Sequence, residues 1–481
     1  MSDPASYDVC VIGSGPAGMN AARFAAREGY RAVVIEQEVD VGGACVHRGT
    51  IPSKTLRETA LALSNFRRRT GEVFDLEIRE DMQVESLMRR LESVVRAHTE
   101  TMGESLAAEG VERWHGRAAF VSPEEIEVVR VSGPPSRVRA AKFVIATGSK
   151  PRTPDNVPID HEHVLDSDSI LSMVYLPKSL TVLGAGVIAC EYASIFSALG
   201  VEVTIVDSHP TPLGFLDPEI VGRFQDSLMV VGGGRFIGGR QVRSVAWDDV
   251  QFVRTELDDG TVLETDKLLC CLGRVANLDA LHVEAAGLAV DDRGRLPVNE
   301  HLQTSRPNIY AVGDVIGPPA LASTSMDQGR RAMLHAFDLP DTHPPETIPV
   351  GIYTIPEMSS VGLSEAEALK QHGDCMIGRA EFSQVARGHI ADISEGLVKL
   401  VADREGRKLL GVQIIGEGAA ELIHVGQMAL LNGSDIDVFV DNTFNFPTLA
   451  EAYRVAALDI FWARRAREAP ARTPPEPALT D

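Results

Sequence analysis

Residues Tyr7–Glu36 read YDVCVIGSGPAGMNAARFAAREGYRAVVIE, and this stretch decides the fold. An apolar strand runs into Gly13-x-Gly15-x-x-Gly18, then an alanine-rich helix, then a second strand that ends in an acid. Each glycine has a separate physical task. Gly13 permits the tight turn, Gly15 lets the backbone approach a pyrophosphate, and Gly18 lets helix and strand pack closely. The phosphates then face a helix N-terminus, where free N–H groups and the helix dipole favour anions. Glu36, 23 residues after Gly13, is placed to accept hydrogen bonds from a ribose 2′-OH. A glycine triplet alone is weak evidence of a nucleotide site. With strand, helix, second strand and terminal acid in register it predicts a dinucleotide-binding βαβ unit.

The unit repeats. Ser179–Asp207 reads SLTVLGAGVIACEYASIFSALGVEVTIVD, with Gly184, Gly186 and Ala189 at the three fingerprint positions and Asp207 again 23 residues beyond the first glycine. Two copies in one chain imply two dinucleotides, a flavin dinucleotide held permanently and a nicotinamide dinucleotide that exchanges.

Outward from these copies the chain reads as connecting structure. Between them, Val84, Leu87, Met88, Leu91, Val94 and Val95 within Asp81–Gly110 have helical periodicity and predict a long amphipathic helix packed on a neighbour. KFVIATG (Lys142–Gly148) reads as a buried strand ending in a turn, the proline-rich PRTPDNVP after it as a linker, and Asp166–Met173 as the lead into the second domain. That domain closes on the strand DKLLCCLGR, ending at Gly273 and Arg274, and Gly273 joins the candidate nucleotide-binding residues. Gly232–Gly234 and Gly238–Gly239 lack the G-K-[ST] ending of a phosphate loop and read as an ordinary helix-to-strand turn. IYAVGDV (Ile309–Val315) is a further strand, ending in Gly313-Asp314. From Ile348 alternating strands, with a turn at Glu405-Gly406, give way to helices, and the stretch after about Ala466 has the composition of a disordered tail.

Composition bounds the function classes. A chain of 481 residues fits about three domains of roughly 100–200 residues each. Hydrophobic content of 44% and charged content of 24% describe an ordinary globular protein. A net charge of −22 and a pI near 5.0 argue against nucleic acid or an anionic membrane surface as a partner. The basic run Arg67–Arg69 is read as a solvated loop just after a helix. Ser2, Asp3 and Pro4 begin no secretory signal, and no apolar run reaches the ~18 residues of a membrane span. Cysteines 10, 45, 190, 270, 271 and 375 show neither a C-x2-C spacing nor a disulfide framework. Cys10, Cys270 and Cys271 lie in apolar strands as small core residues. The expectation is a cytoplasmic protein without a metal site.

The two-dinucleotide layout resembles the FAD-dependent pyridine nucleotide-disulfide oxidoreductase family, and the resemblance spans about Tyr7 to Ile460. VGGACVHRGTIPSKTL (Val41–Leu56) has the frame of that family's active site, G-G-x-C-x4-C-x3-K, with Gly43, Cys45 and Lys54 in place. Thr50 stands where the second cysteine belongs. A disulfide needs two sulfurs, so dithiol chemistry is lost here. The family's second signature, H-P-T-x-x-E, reads F-P-T-L-A-E, with Phe446 replacing the histidine that serves as acid–base from the partner subunit. Phenylalanine carries no proton. Thr448 and Glu451 are read instead as a capping box opening a helix.

The resemblance also implies roles for other positions. Thr147 and Gly148 belong to the A-T-G loop where the chain leaves the flavin domain, Asp314 binds the ribityl chain, and the loop reaching Ala322 contacts the isoalloxazine. Lys54 lies near flavin N5 and pairs with Glu191, where positive charge stabilises an anionic reduced flavin. The implied architecture is α/β: two Rossmann-like domains, for FAD and NAD(P), plus a C-terminal α+β dimerisation domain. The expected boundaries are 1–155 and 281–345 for FAD, 156–280 for NAD(P), 346–465 for the interface and 466–481 for the tail. A homodimer is implied, with further assembly left open.

Both thiol-related parts are gone, while both nucleotide sites and the Lys54–Glu191 pair remain. Within the family this combination resembles the soluble, Si-specific pyridine nucleotide transhydrogenases, which pass hydride between NADPH and NAD+ through FAD by a ping-pong route. Asp207 pulls the other way, because a 2′-phosphate meets a like charge there; Ser208-His209 follows where an arginine would suit NADP better. An NAD(P)H dehydrogenase acting on a quinone or dye is the alternative enzyme. A non-catalytic sensor of the cofactor ratio is the third class, against which Lys54 and Glu191 argue.

Overall fold

The computed structural model describes residues 5–70, 84–130, 133–341, 347–393 and 395–468. Their contacts gather into two compact units. One holds the described residues of 5–65, 84–210 and 236–341, and the other those of 66–70, 211–235 and 347–468.

The first unit is built on the two predicted βαβ copies. In the first copy β1 (Ala5–Ile12) leads to α1 (Pro16–Arg27) and β2 (Ala32–Glu36). The strands are parallel, with Cys10 opposite Val33. They sit in a seven-stranded sheet in the order Glu112–His115, β2, β1, Ser136–Ile145, Glu125–Val129, Arg117–Ser122. Ile309–Ala311 pairs with Ser136–Ile145 as the seventh strand, which brings the later part of the chain back into the first sheet. Val9, Cys10 and Val11 are fully buried because both sheet faces are covered. On one face α1 packs against the helix Ala322–Ala336 so closely that a Cβ on Gly329 would lie 2.2 Å from the Ala17 carbonyl oxygen.

The second copy comprises β3 (Ser179–Leu183), α2 (Val187–Ala198) and β4 (Glu202–Asp207). Its five-stranded sheet runs β5 (Arg235–Gly238), β4, β3, Lys267–Cys270, Val164–Asp166. A three-stranded antiparallel sheet, Val242–Trp247 with Val253–Leu257 and Val262–Thr265, covers it. The α2 helix is buried over ten consecutive residues, Ala189–Ala198, which explains its largely apolar sequence, with Glu191 as its one charged residue.

In the second unit the strands Val350–Ile352, Met358–Gly362, Leu409–Ile415, Leu397–Ala402 and Met376–Glu381 pair in that order into an antiparallel sheet. The helix Glu451–Glu468 lies on the edge strand Met376–Glu381, where a Cβ on Gly378 would come within 2.0 Å of the Ala456 carbonyl oxygen. The helix Pro218–Gly232, which the sequence assigned with 156–280 to the nucleotide domain, clusters in this unit. Charge explains its placement. The ammonium of Lys399, only 2% exposed, is 2.9 Å from Asp217, 3.0 Å from Glu219 and 2.7 Å from Glu365. A buried lysine must be paired, and Asp217 and Glu219 at the N-terminus of this helix provide two of its three partners.

Several expectations need correction. Arg67–Arg69 lie within the helix Thr50–Thr70, not in a loop after it. The long helix runs Val84–Ala108, and its stripe is only partly covered within the chain: Leu91 and Leu106 are buried while Val94 is 38% exposed. Gly233 does end a helix in the left-handed conformation, but Gly238 and Gly239 join two strands. Cys10 and Cys270 are core residues as expected, whereas Cys271 is half-buried just past its strand. The last helix extends to Glu468, and the rest of the expected tail lies outside the described residues.

Candidate active site

The first nucleotide cradle follows from three backbone facts. Gly13 has φ +101°, and a Cβ there would lie 2.4 Å from the Ala146 carbonyl oxygen. A Cβ on Gly18 would lie 2.0 Å from the Gly13 oxygen, so the third glycine is fixed by helix–strand approach. A Cβ on Gly15 would meet no protein atom within 4 Å. That glycine is not required by packing; the open space above the α1 N-terminus is what a phosphate would occupy. The helix start has no side-chain cap, so its N–H groups are available to a ligand. Glu36 is 6% exposed and shaped by its own loop. It accepts from Ser14 N–H at 2.8 Å, Ser14 Oγ at 2.6 Å and Glu38 N–H at 3.0 Å.

The second cradle repeats the pattern. Gly184 has φ +98°, and its Cβ would lie 2.5 Å from the Cys271 oxygen, while a Cβ on Gly186 meets nothing. The third position carries Ala189, fully buried, where the helix sits far enough off to admit a methyl group. Asp207 accepts from Ala185 N–H at 2.7 Å and from His209 N–H at 2.6 Å. The His209 imidazole adds a contact through Nδ1 at 2.8 Å. Gly273, with φ +100°, faces open space at the end of the neighbouring strand.

The helix Gly43–His47 and the helix Thr50–Thr70 carry the Val41–Leu56 motif. Gly42 has φ +122° and Gly43 lies against the fingerprint loop, a Cβ on it being 2.9 Å from Gly15 Cα. The Cys45 thiol is raised above its ordinary pKa, first by burial and also by the Asp314 charge, against the Thr50 hydroxyl and the Lys54 charge. It is a protonated, poorly nucleophilic thiol at neutral pH. All the described cysteines are free. Lys54, one turn into the second helix, reaches the second turn of the other copy's helix: its ammonium is 2.6 Å from Glu191 Oε2 on α2. Glu191 is 5% exposed and Lys54 retains 24% side-chain exposure, so the pair is largely shielded and its positive end stays accessible.

Asp314 follows the strand Ile309–Ala311 and accepts from Ser149 Oγ at 2.7 Å. Ser149 Oγ also takes an N–H from Arg274 at 2.9 Å, and a second Arg274 N–H goes to the Ser149 carbonyl at 2.8 Å. This Arg274–Ser149–Asp314 relay was missed from sequence, because nothing in the spacing of residues 149, 274 and 314 marks them as neighbours. Thr147 Oγ1 is buried with no hydrogen-bond partner among the described residues. An orphaned buried hydroxyl beside the uncapped first cradle fits a bound polar cofactor. Ala322 begins a helix that likewise has no side-chain cap. Gly148, at φ +68° with open space around it, turns the chain out of the first sheet.

Phe446, in the other unit, is 69% exposed, as a core residue would not be. The capping box expected after it is only half formed. Glu451 reaches back to Thr448 N–H at 3.4 Å, but the Thr448 hydroxyl donates to the Asn445 carbonyl at 2.8 Å. Among the described residues no group of acids, histidines and cysteines could hold a metal ion, and no helix is long and apolar enough to cross a membrane.

Two nucleotide cradles bridged by one lysine–glutamate pair define a pyridine nucleotide oxidoreductase. Residues 7–329 match the model of the pyridine nucleotide-disulphide oxidoreductases and residues 348–457 match that family's dimerisation domain, so the chain belongs to this family. It is 40% identical over 461 residues to a soluble pyridine nucleotide transhydrogenase of Mycobacterium tuberculosis, covering 96% of this chain and 98% of the relative. It is 38% identical over 468 residues to one from Pseudomonas aeruginosa, covering 94% and 98%. Among solved structures, the HOCl-induced flavoprotein disulfide reductase RclA from Escherichia coli superimposes with a TM-score of 0.84 at 26% identity, covering 94% of this chain and 99% of that one. LpdA from Mycobacterium tuberculosis does so with a TM-score of 0.86 at 25% identity and the same coverage. The expected fold, two dinucleotide-binding domains and a dimerisation domain, is the observed one.

Proposed function

We propose that this chain is an FAD-dependent transhydrogenase that passes hydride between NADPH and NAD+ by a ping-pong route and works as a homodimer. The observation that carries the reading is the intact Lys54–Glu191 pair, at 2.6 Å, beside a motif whose second sulfur is replaced by Thr50. When bound, a flavin accepts a hydride from one nicotinamide and yields it to another. The protein's part is positioning and electrostatics. Gly13, Gly15 and Gly18 with the α1 N-terminus hold the first dinucleotide, and Gly184, Gly186 and the α2 N-terminus hold the exchanging one. Asp314, steadied by Ser149, anchors a hydroxylated chain, and Thr147 and Ala322 line its approach. Lys54 supplies positive charge where negative charge develops, and Glu191 fixes the ammonium in place. Cys45, its thiol raised by burial, supplies no thiolate at neutral pH, and Phe446 carries no proton, so no thiol half-reaction competes. FAD belongs with 1–155 and 281–345, and NAD(P) with 156–280.

The test is anaerobic mixing of the purified holoenzyme with NADPH and thio-NAD+. Catalytic formation of reduced thio-NAD supports the reading. No transfer, alongside brisk quinone reduction by NADH, replaces it with the dehydrogenase; no flavin bleaching by either donor leaves a binding protein.

A further inference from the structure

The acid of the second cradle poses a problem for a site that must accept both NAD(H) and NADP(H). Asp207 suits a 2′-OH and repels a 2′-phosphate. The two cradles are internal copies, so the residues around their acids can be compared position by position. Both acids are held the same way, by the N–H that follows the first glycine and the N–H two residues beyond the acid. They differ at the neighbouring strand. In the first copy the N–H donated to the Glu36 carbonyl, at 2.8 Å, comes from Gly116. In the second copy the N–H donated to the Asp207 carbonyl, at 3.1 Å, comes from Arg240.

The loop that delivers Arg240 is fixed against the acid. Gly239 N–H donates to the His209 carbonyl at 3.1 Å. A Cβ on Gly238 would fall 2.7 Å from the Pro210 oxygen and 3.0 Å from the His209 oxygen. Gly238 is therefore needed for close approach, and the pair of glycines that the sequence leaves as a plain turn has a purpose. Arg240 leaves the backbone one hydrogen bond from Asp207, and its side chain is 44% exposed, held to Asp259 at 3.1 Å. An exposed ion pair of this kind is weak and exchangeable. A guanidinium is also the group best shaped to grip a phosphate in two places.

We propose that Arg240 is the specificity-determining residue for the 2′-phosphate. It trades the Asp259 carboxylate for the phosphate when NADP(H) enters, while Asp207 serves the 2′-OH of NAD(H). His209, whose ring nitrogen lies 2.8 Å from Asp207, is a second basic group beside the acid. The inference rests on the reading that one cradle takes both nucleotides.

The experiment is titration calorimetry of the holoenzyme with 2′,5′-ADP and with 5′-AMP, which differ only in the 2′-phosphate. Arg240→Gln raises the Kd of 2′,5′-ADP by at least about tenfold, the loss expected for a charge-assisted contact, and leaves 5′-AMP within about twofold because its contacts are elsewhere. Asp259→Asn, which frees Arg240, tightens 2′,5′-ADP and not 5′-AMP. Equal changes for both probes, or none, overturn the role of Arg240. A wild-type enzyme that passes hydride from NADPH to thio-NAD+ while Arg240→Gln keeps full 2′,5′-ADP affinity overturns this inference alone. A wild type that binds 5′-AMP but not 2′,5′-ADP overturns the dual-nucleotide reading with it.

Discussion

Replacing Lys54 by Met and Glu191 by Gln, singly and together, tests the pair on which the functional reading turns. At the observed 2.6 Å and an effective dielectric of about 20, the gross attraction is roughly 6 kcal/mol. Two effects reduce it. Glu191 gives up hydration on burial, and Lys54 keeps 24% of its side chain exposed, which admits solvent screening. A net coupling of about 2 kcal/mol follows, inside the range for residues in direct contact, and it corresponds to about thirtyfold in an equilibrium or a rate. Urea denaturation of the four proteins reads the coupling in stability. Anaerobic stopped-flow with NADPH reads it in flavin reduction, where Glu191→Gln slows bleaching and adds almost nothing once Lys54→Met is present. Coupling below about 0.5 kcal/mol, or strictly additive rate losses, would refute the reasoning.

The cradle glycines separate packing from ligand space. Gly18→Ala places a methyl 2.0 Å from the Gly13 oxygen and lowers the melting temperature of the apoprotein, whereas Gly15→Ala, whose methyl would meet no protein atom within 4 Å, leaves that temperature unchanged and loses FAD retention on gel filtration. Cys45→Ser leaves hydride transfer within about twofold, because a thiol raised by burial contributes no nucleophile; a loss beyond about tenfold would show that the sulfur takes part. Acid stability has its own source. Burial pushes the Glu219 carboxyl up, but hydrogen bonds from Arg379 and Lys399 outweigh burial and lower it from its ordinary 4.5 to about 2. A depressed carboxylate stabilises the fold fully above its unfolded value and loses that contribution as pH falls from 4.5 to about 2. The shift is worth at most about 3 kcal/mol, and Glu219→Gln flattens the acid limb of a denaturation-against-pH curve.

The fold was legible because the βαβ copies write their geometry into local sequence. A tight turn, a close helix approach and a terminal acid need particular residues at fixed spacing; Gly13 and Gly18 occupy their places for the reasons expected, and Glu36 ends the second strand where the acid belongs. The Lys54–Glu191 contact was legible through resemblance, since no local pattern joins positions 137 residues apart. What stayed hidden were pairings between distant segments: Arg274 with Ser149, the Lys399 cluster, and Arg240 beside Asp207. Such contacts depend on which strand lies next to which, and side-chain periodicity carries no such information. The capping box at Thr448 misled for a different reason. Its spacing is right, but the hydroxyl finds the nearer Asn445 carbonyl, a local competition that serine and threonine commonly offer the backbone.

The Lys399 cluster also sets an order of events during synthesis. Asp217 and Lys399 are 182 residues apart in the chain. At roughly 5–20 residues per second, Asp217 waits about 9–36 s for its buried partner to leave the ribosome. Over that interval the helix Pro218–Gly232 has no sheet of its own unit to join, because the five strands of that unit's sheet all lie beyond residue 347. The second unit therefore closes after translation has passed Lys399, and a nascent chain stalled before that point carries the helix Pro218–Gly232 undocked, with its first-turn carboxylates in water.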